Sequence, residues 1–91
     1  MVTAMPKPPI STAAGEFGRR LRQTREAKGL TQEGLAHRAG STFSSISGYE
    51  RGQTTPSFPV ILDIAYALGV DPGELIRGLK PDVPPSERLG R

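Results

Sequence analysis

Between residues 16 and 79 the apolar residues recur at intervals of three or four, and each run is stopped by a glycine: Gly29, Gly40, Gly52 and Gly69, with Pro81 beyond the last. No stretch alternates at two for the length of a strand, so the chain is restricted to short helices and the turns between them. Five are expected. The first, Glu16 to Lys28, sets Phe17 and Leu21 on its buried side and ends in a left-handed cap at Gly29; Arg25 falls on the same stripe. The second starts from Thr31 as N-cap and packs Leu35, Ala36 and Ala39 before Gly40 stops it. The third is capped by Thr42, turns Ile46 and Tyr49 inward and closes at Gly52. Ser57 caps a fourth, which carries Ile61, Ile64, Ala65 and Leu68 at i, i+3, i+4 and i+7. Asp71, Pro72, Gly73 and Glu74 open the fifth as a capping box, followed by Leu75, Ile76 and Leu79.

Outside this region the pattern lapses. Residues 1–15 hold Pro6, Pro8 and Pro9, residues 80–91 hold Pro81, Pro84 and Pro85, and both are expected to be flexible arms flanking a single all-α domain at 16–79. Charge is uneven along the chain. Residues 16–52 carry a net excess of three positive charges, whereas 53–91 are slightly acidic, so the first half is the face to expect against a polyanion.

Several classes of function lack their parts. There is no cysteine, and the single histidine, His37, has no set of partners for a metal, so neither metal nor cofactor is expected. Catalysis is not expected either: His37 has no nucleophile and acid arranged beside it, Ser44, Ser45 and Ser47 share a helix without a base, and no glycine-rich phosphate loop is present. No apolar run approaches the roughly 20 residues of a membrane span, and Met1 to Ala14 lacks the build of an export signal. A soluble, cytoplasmic protein is the expectation.

The segment Gln32 to Arg51, QEGLAHRAGSTFSSISGYER, meets the physical needs of a helix-turn-helix. Close approach of two helices requires small residues, supplied by Ala36 and Ala39; the sharp reversal requires a positive φ, supplied by Gly40; Leu35, Ile46 and Tyr49 anchor both helices on the core. The strings FGRRLRQTREAKGLTQEGLAHRAG, ISGYERG and ILDIAYALGVDPGELI extend the likeness from Phe17 to about Leu79. Over that span the chain resembles the lambda-repressor-like (Cro/CI, XRE) DNA-binding domains, which implies a compact five-helix fold and a regulator, most simply a repressor, of double-stranded DNA. Three positions depart from the pattern: Ser41 and Thr24 stand where apolar residues are usual, and Gly34 inside helix two costs about 1 kcal/mol relative to alanine.

Periodicity turns Phe43, Ser44, Ser47 and Gly48 outward on the third helix, as the groups to meet base edges. None makes the bidentate contact that Arg offers guanine or Asn and Gln offer adenine, so direct readout is thin and DNA shape and paired half-sites are expected to contribute. Gln32, at the N-terminus of helix two, is the expected phosphate clamp, with Thr42, Arg51, Gln53, Thr54 and Thr55 as further phosphate contacts. Arg25 and Glu50 both sit on inward faces, where an unpaired charge is costly, and the resemblance implies that they form a structural ion pair. Arg19, Arg20 and Arg22 read as solvated surface. One domain covers a single half-site, so a homodimer is expected, with Val70, Leu75, Ile76 and Leu79 as interface candidates. The competing class is a protein-interaction module, such as an antitoxin-like partner that also binds its own operator, for which exposed Phe43 and the two arms would serve.

Overall fold

The computed structural model describes residues 7–88 and is all-helical among them, with α1 Thr12–Ala27, α2 Gln32–Ala39, α3 Phe43–Glu50, α4 Phe58–Leu68, α5 Gly73–Ile76 and α6 Pro85–Arg88. Four of the starts, that of α1 included, follow from side-chain caps. The hydroxyls of Thr31, Thr42 and Ser57 accept from the backbone N–H groups of Gly34, Ser45 and Val60 at 2.9, 3.0 and 3.4 Å. Each such cap is worth about 1 kcal/mol. At the turn that matters most, Gly40 adopts φ 65° and ψ 33°, and Ser41 N–H reaches back to the carbonyl of Ala36 at 2.8 Å. A residue with a Cβ would be strained there, so the angle between α2 and α3 depends on this glycine.

The core is one cluster. Phe17 and Leu21 from α1, Leu35 and Ala36 from α2, Ile46 from α3, Ile64, Ala65 and Leu68 from α4, and Leu75 from α5 are all buried. The i, i+4 and i, i+3 spacings seen in the sequence place each on the facing side of its helix. α1 packs against α3 and α5, while α2 packs against α3 and α4, so α3 is gripped from two sides. At the α1–α3 contact Gly18 brings the helices so close that a Cβ there would run into the carbonyl oxygens of Tyr49 and Glu50.

The structure departs from the sequence reading at both ends. α1 begins at Thr12, not Glu16, because Ser11 caps it by accepting from Ala14 N–H at 3.0 Å. Both carboxylate oxygens of Asp82 also accept from Thr12 N–H, at 3.1 and 3.2 Å, placing a negative charge at the positive end of the helix. Residues 7–10 are likewise tied down. Ile10 N–H donates to the Gly52 carbonyl at 2.8 Å, and the Pro9 ring fills the space that side chains at Gly15 and Gly52 would take. Residues 7–10 and Asp82 thus touch the domain, while residues 83–88 are exposed; residues 1–6 and 89–91 lie outside the described residues. The fifth helix is a single turn that stops at Ile76, since Arg77 leaves the helical region (ψ 128°) and Gly78 follows at φ 76°. Its start is held by Asp71, whose carboxylate accepts from Gly73 N–H at 2.6 Å. α6, which the reading did not include, starts with Pro85 in the first position, where the missing N–H is no loss.

The α1 arginines are less free than the reading supposed. Arg19 and Arg20 both donate to the Glu16 carboxylate, at distances from 2.7 to 2.9 Å, and Arg19 above all holds the Glu16 pKa down to about 2 from its usual 4.5. Arg20 also donates to the carbonyl of Arg77 at 2.8 Å, tying α1 to the end of α5.

Candidate nucleic-acid interface

The interface is built around a charge that is hidden. Arg25 on α1 and Glu50 at the end of α3 form a bidentate pair, Nε to Oε2 at 2.6 Å and Nη2 to Oε1 at 3.1 Å. Their side chains are 10% and 3% exposed. Nη1 of Arg25 donates to the Leu30 carbonyl at 2.7 Å, so the guanidinium ties the turn before α2 to the end of α3. The hydrogen bond to Glu50 raises the Arg25 pKa above its ordinary value. Gln32 joins the same network, donating from Nε2 to Glu50 Oε1 at 2.9 Å. An amide nitrogen carries two hydrogens. One of those on Gln32 is thus held by Glu50, which leaves the other for a further acceptor.

On the outer side of α3, Phe43 is 52% exposed and Ser44 is exposed, while Ser47 is half-buried. Gly48, outward by the helical period, is nevertheless not exposed. It is buried, because the loop after α3 folds back and lays the Thr54 methyl group where a Cβ on Gly48 would stand, 2.9 Å away. The helical wheel counts only the helix and cannot see that loop. Arg51 continues the outward row of Phe43 and Ser47 one turn further, with Nε donating to the Ser47 carbonyl at 3.2 Å. Thr42, Thr54 and Thr55 are exposed; Thr54 lies over Gly48, whereas Thr55 lines a small pocket with Ala14, Phe17 and Ile61.

Gln53 is placed differently from the expectation that it meets a phosphate. Its Nε2 donates to the carbonyls of Pro8 at 2.8 Å and Lys7 at 3.2 Å, so its donor is turned onto the N-terminal segment. The consequence is a cleft lined by Lys7, Arg22, Glu50, Arg51 and Gln53 at the C-terminal end of α3. Lys7 and Arg22 had no signal in the sequence, the first lying among prolines and the second reading as solvated surface. A second unanticipated feature is on α4, where Phe58, Leu62 and Tyr66, four residues apart, are 68%, 41% and 89% exposed. That spacing was visible, but it was masked by the stronger stripe of Ile61, Ile64, Ala65 and Leu68. Of the interface residues expected in and around α5, Leu75 is fully buried in the core, Val70 and Leu79 pack against it, and Ile76 is 37% exposed.

This arrangement of short helices is shared with known proteins. Residues 16–77 match the family model described as a helix-turn-helix domain. The HTH-type transcriptional regulator YazB of Bacillus subtilis is 42% identical over 59 residues, 65% of this chain and 86% of that protein. A transcriptional regulator from the ATPase CF(0) region of Rhodospirillum rubrum is 49% identical over 53 residues, and there the match spans only 49% of the relative. Among solved structures, the restriction-modification controller protein C.AhdI of Aeromonas hydrophila superimposes with a TM-score of 0.67 at 48% identity, over 68% of this chain and 94% of the controller. The P22 c2 repressor bound to a synthetic operator gives 0.64 at 31% identity, over 68% and 94%. With two thirds of its length inside one family model and its helices in the same places as these regulators, the chain belongs to the helix-turn-helix domain family, in its lambda-repressor-like Cro/CI type.

Proposed function

We propose that this protein is a transcriptional regulator that binds double-stranded DNA by laying α3 in the major groove, and that it acts as a cytoplasmic repressor by occupying its site. The observation that carries the reading is the support of α3: a largely buried Arg25–Glu50 pair fixes its end, while Phe43, Ser44 and Ser47 remain on its outer side. A repressor in complex with a synthetic operator is among the structures of similar fold. With Gly48 withdrawn from the surface, base contacts narrow to Phe43 against a thymine methyl and single hydrogen bonds from the two serines. Shape and the pairing of half-sites then carry more of the sequence choice. The test is selection of bound duplexes from a random pool. Gln32→Ala is expected to weaken every duplex about tenfold, the loss of one hydrogen bond to a charged oxygen, whereas Ser44→Ala relaxes preference at one base pair. A Gln32→Ala protein that lost only its preferred sequences would contradict this division of labour.

Half-sites of such domains lie about 34 Å apart, which calls for a dimer. The exposed row on α4, and not α5, is the surface we assign to it, since α5 spends Leu75 on the core. Phe58→Glu with Tyr66→Glu is expected to leave the helical circular dichroism signal in place, because both side chains lie outside the core, and to halve the mass measured by sedimentation equilibrium. An unchanged dimer in the double variant would remove α4 from the interface.

A further inference from the structure

We infer that Lys7, Arg22 and Arg51 form a second phosphate clamp at the C-terminal end of α3, and that Gln53 acts by holding Lys7 in it and not by touching DNA itself; the inference rests on the DNA-binding reading above. The three cations come from three separate parts of the chain and line one cleft. The carboxylate among them, Glu50, is spent: Arg25 takes both of its oxygens and Gln32 shares one. Among the described residues Lys7 and Arg51 have no carboxylate partner, and Arg22 has only Glu26 at 3.2 Å, an exposed pair with both side chains more than half in solvent. Such a pair holds its cation weakly, so Arg22 is available to a stronger anion. The local charge is therefore positive and unneutralised.

Position gives the anion its identity. Arg51 extends the outward row of Phe43 and Ser47 by one turn, so a duplex lying on that row has its sugar-phosphate backbone at the row's end. Glu50 joins the cleft to Gln32, with the network at the start of α2 on one side and the three cations on the other. A strand that meets the α2 N-terminus thus passes the cleft next. A phosphate diester is the group that fits three convergent cations without a shaped, enclosed pocket. Lys7 belongs to the cleft only because the Gln53 amide holds the carbonyls of Lys7 and Pro8, and Ile10 is fastened to Gly52.

Counterion release separates a cation on a phosphate from a neutral donor, since each phosphate neutralised contributes about 0.9 to the slope of log K against log salt, and a neutral side chain contributes none. Binding is read by fluorescence anisotropy on two duplexes of about 30 base pairs, one selected from the random pool and one of shuffled sequence, across salt. Lys7→Gln and Arg22→Gln are each expected to lower the slope by about 0.9 and to weaken both duplexes by the same factor, with Lys7→Arg retaining the parental slope. Gln53→Ala is expected to lower the slope as Lys7→Gln does, and the two together to lower it no further. Unchanged slopes in Lys7→Gln and Arg22→Gln, with the parent binding both duplexes, would overturn the clamp alone. Gln53→Ala that weakens binding at an unchanged slope would show a direct neutral contact and overturn its positioning role. A parent that binds neither duplex would overturn the DNA-binding reading and the clamp with it.

Discussion

Glu50→Ala is expected to cost about 3–5 kcal/mol of folding stability, most of what a domain of this size has. The substitution strands the Arg25 guanidinium at the α1–α3 contact, 10% exposed, with the Leu30 carbonyl as its remaining partner. The cost comes from an uncompensated charge and not from the strength of the pair. Replacing both partners with apolar residues of similar size, Arg25→Met with Glu50→Leu, should therefore restore most of the loss. Urea denaturation of the single and double variants measures both figures. A single variant within about 1 kcal/mol of the parent would mean that water reaches the guanidinium once the carboxylate is gone. The double variant has a second use. It also removes the acceptor that aims Gln32, so a protein restored in stability yet weakened on every duplex would separate the network's role on DNA from its role in folding.

Gly18→Ala is expected to destabilise by about 3 kcal/mol, although alanine is the better helix former by about 1 kcal/mol. A Cβ at this position would fall 2.5 Å from the Glu50 carbonyl oxygen and nearer still to that of Tyr49. Both are backbone atoms that no rotamer change can withdraw, so α1 and α3 must separate. Because Arg25 and Glu50 bridge the same two helices, separation also stretches the ion pair. Gly34→Ala is the natural contrast: its added methyl meets only side-chain atoms, the Thr31 hydroxyl at 3.2 Å and Leu30 Cδ2 at 3.8 Å, and its stability should stay within about 1 kcal/mol of the parent. Thermal melts of the two variants decide the matter, and a Gly18→Ala protein that melts with the parent would show that the helices part at no cost.

The helices whose signals are local were legible. Thr31, Thr42 and Ser57 announce their caps, Gly29, Gly40 and Gly69 stand at positive φ where they end runs, and the stripe through Ile64, Ala65 and Leu68 reaches the core. Arg25 and Glu50 were also readable as a pair, since two charges on apolar faces have few ways to be stable. The start of α1 was not. Three prolines and Gly15 argue against a helix locally, and what overrides them includes a carboxylate 70 residues away. The expectation for Gly48 failed for the same kind of reason, because the position is outward on the helix and covered by a loop.

From the sequence alone came the number and order of the five domain helices, the sharp turn at Gly40 and the side of α3 that carries Phe43 and Ser44. These depend on hydrogen bonds and steric limits that act within four residues, and such short-range terms are written in the local string. Only the tertiary structure decided that Gly48 is covered, that Gln53 grips the segment at Lys7 and Pro8, that α5 gives Leu75 to the core while α4 leaves Phe58 and Tyr66 outside, and that Lys7, Arg22 and Arg51 share a cleft. Each is fixed by how whole helices and the loops between them pack, beyond the reach of a single helical turn, and the energy of such packing has no counterpart in the spacing of neighbours.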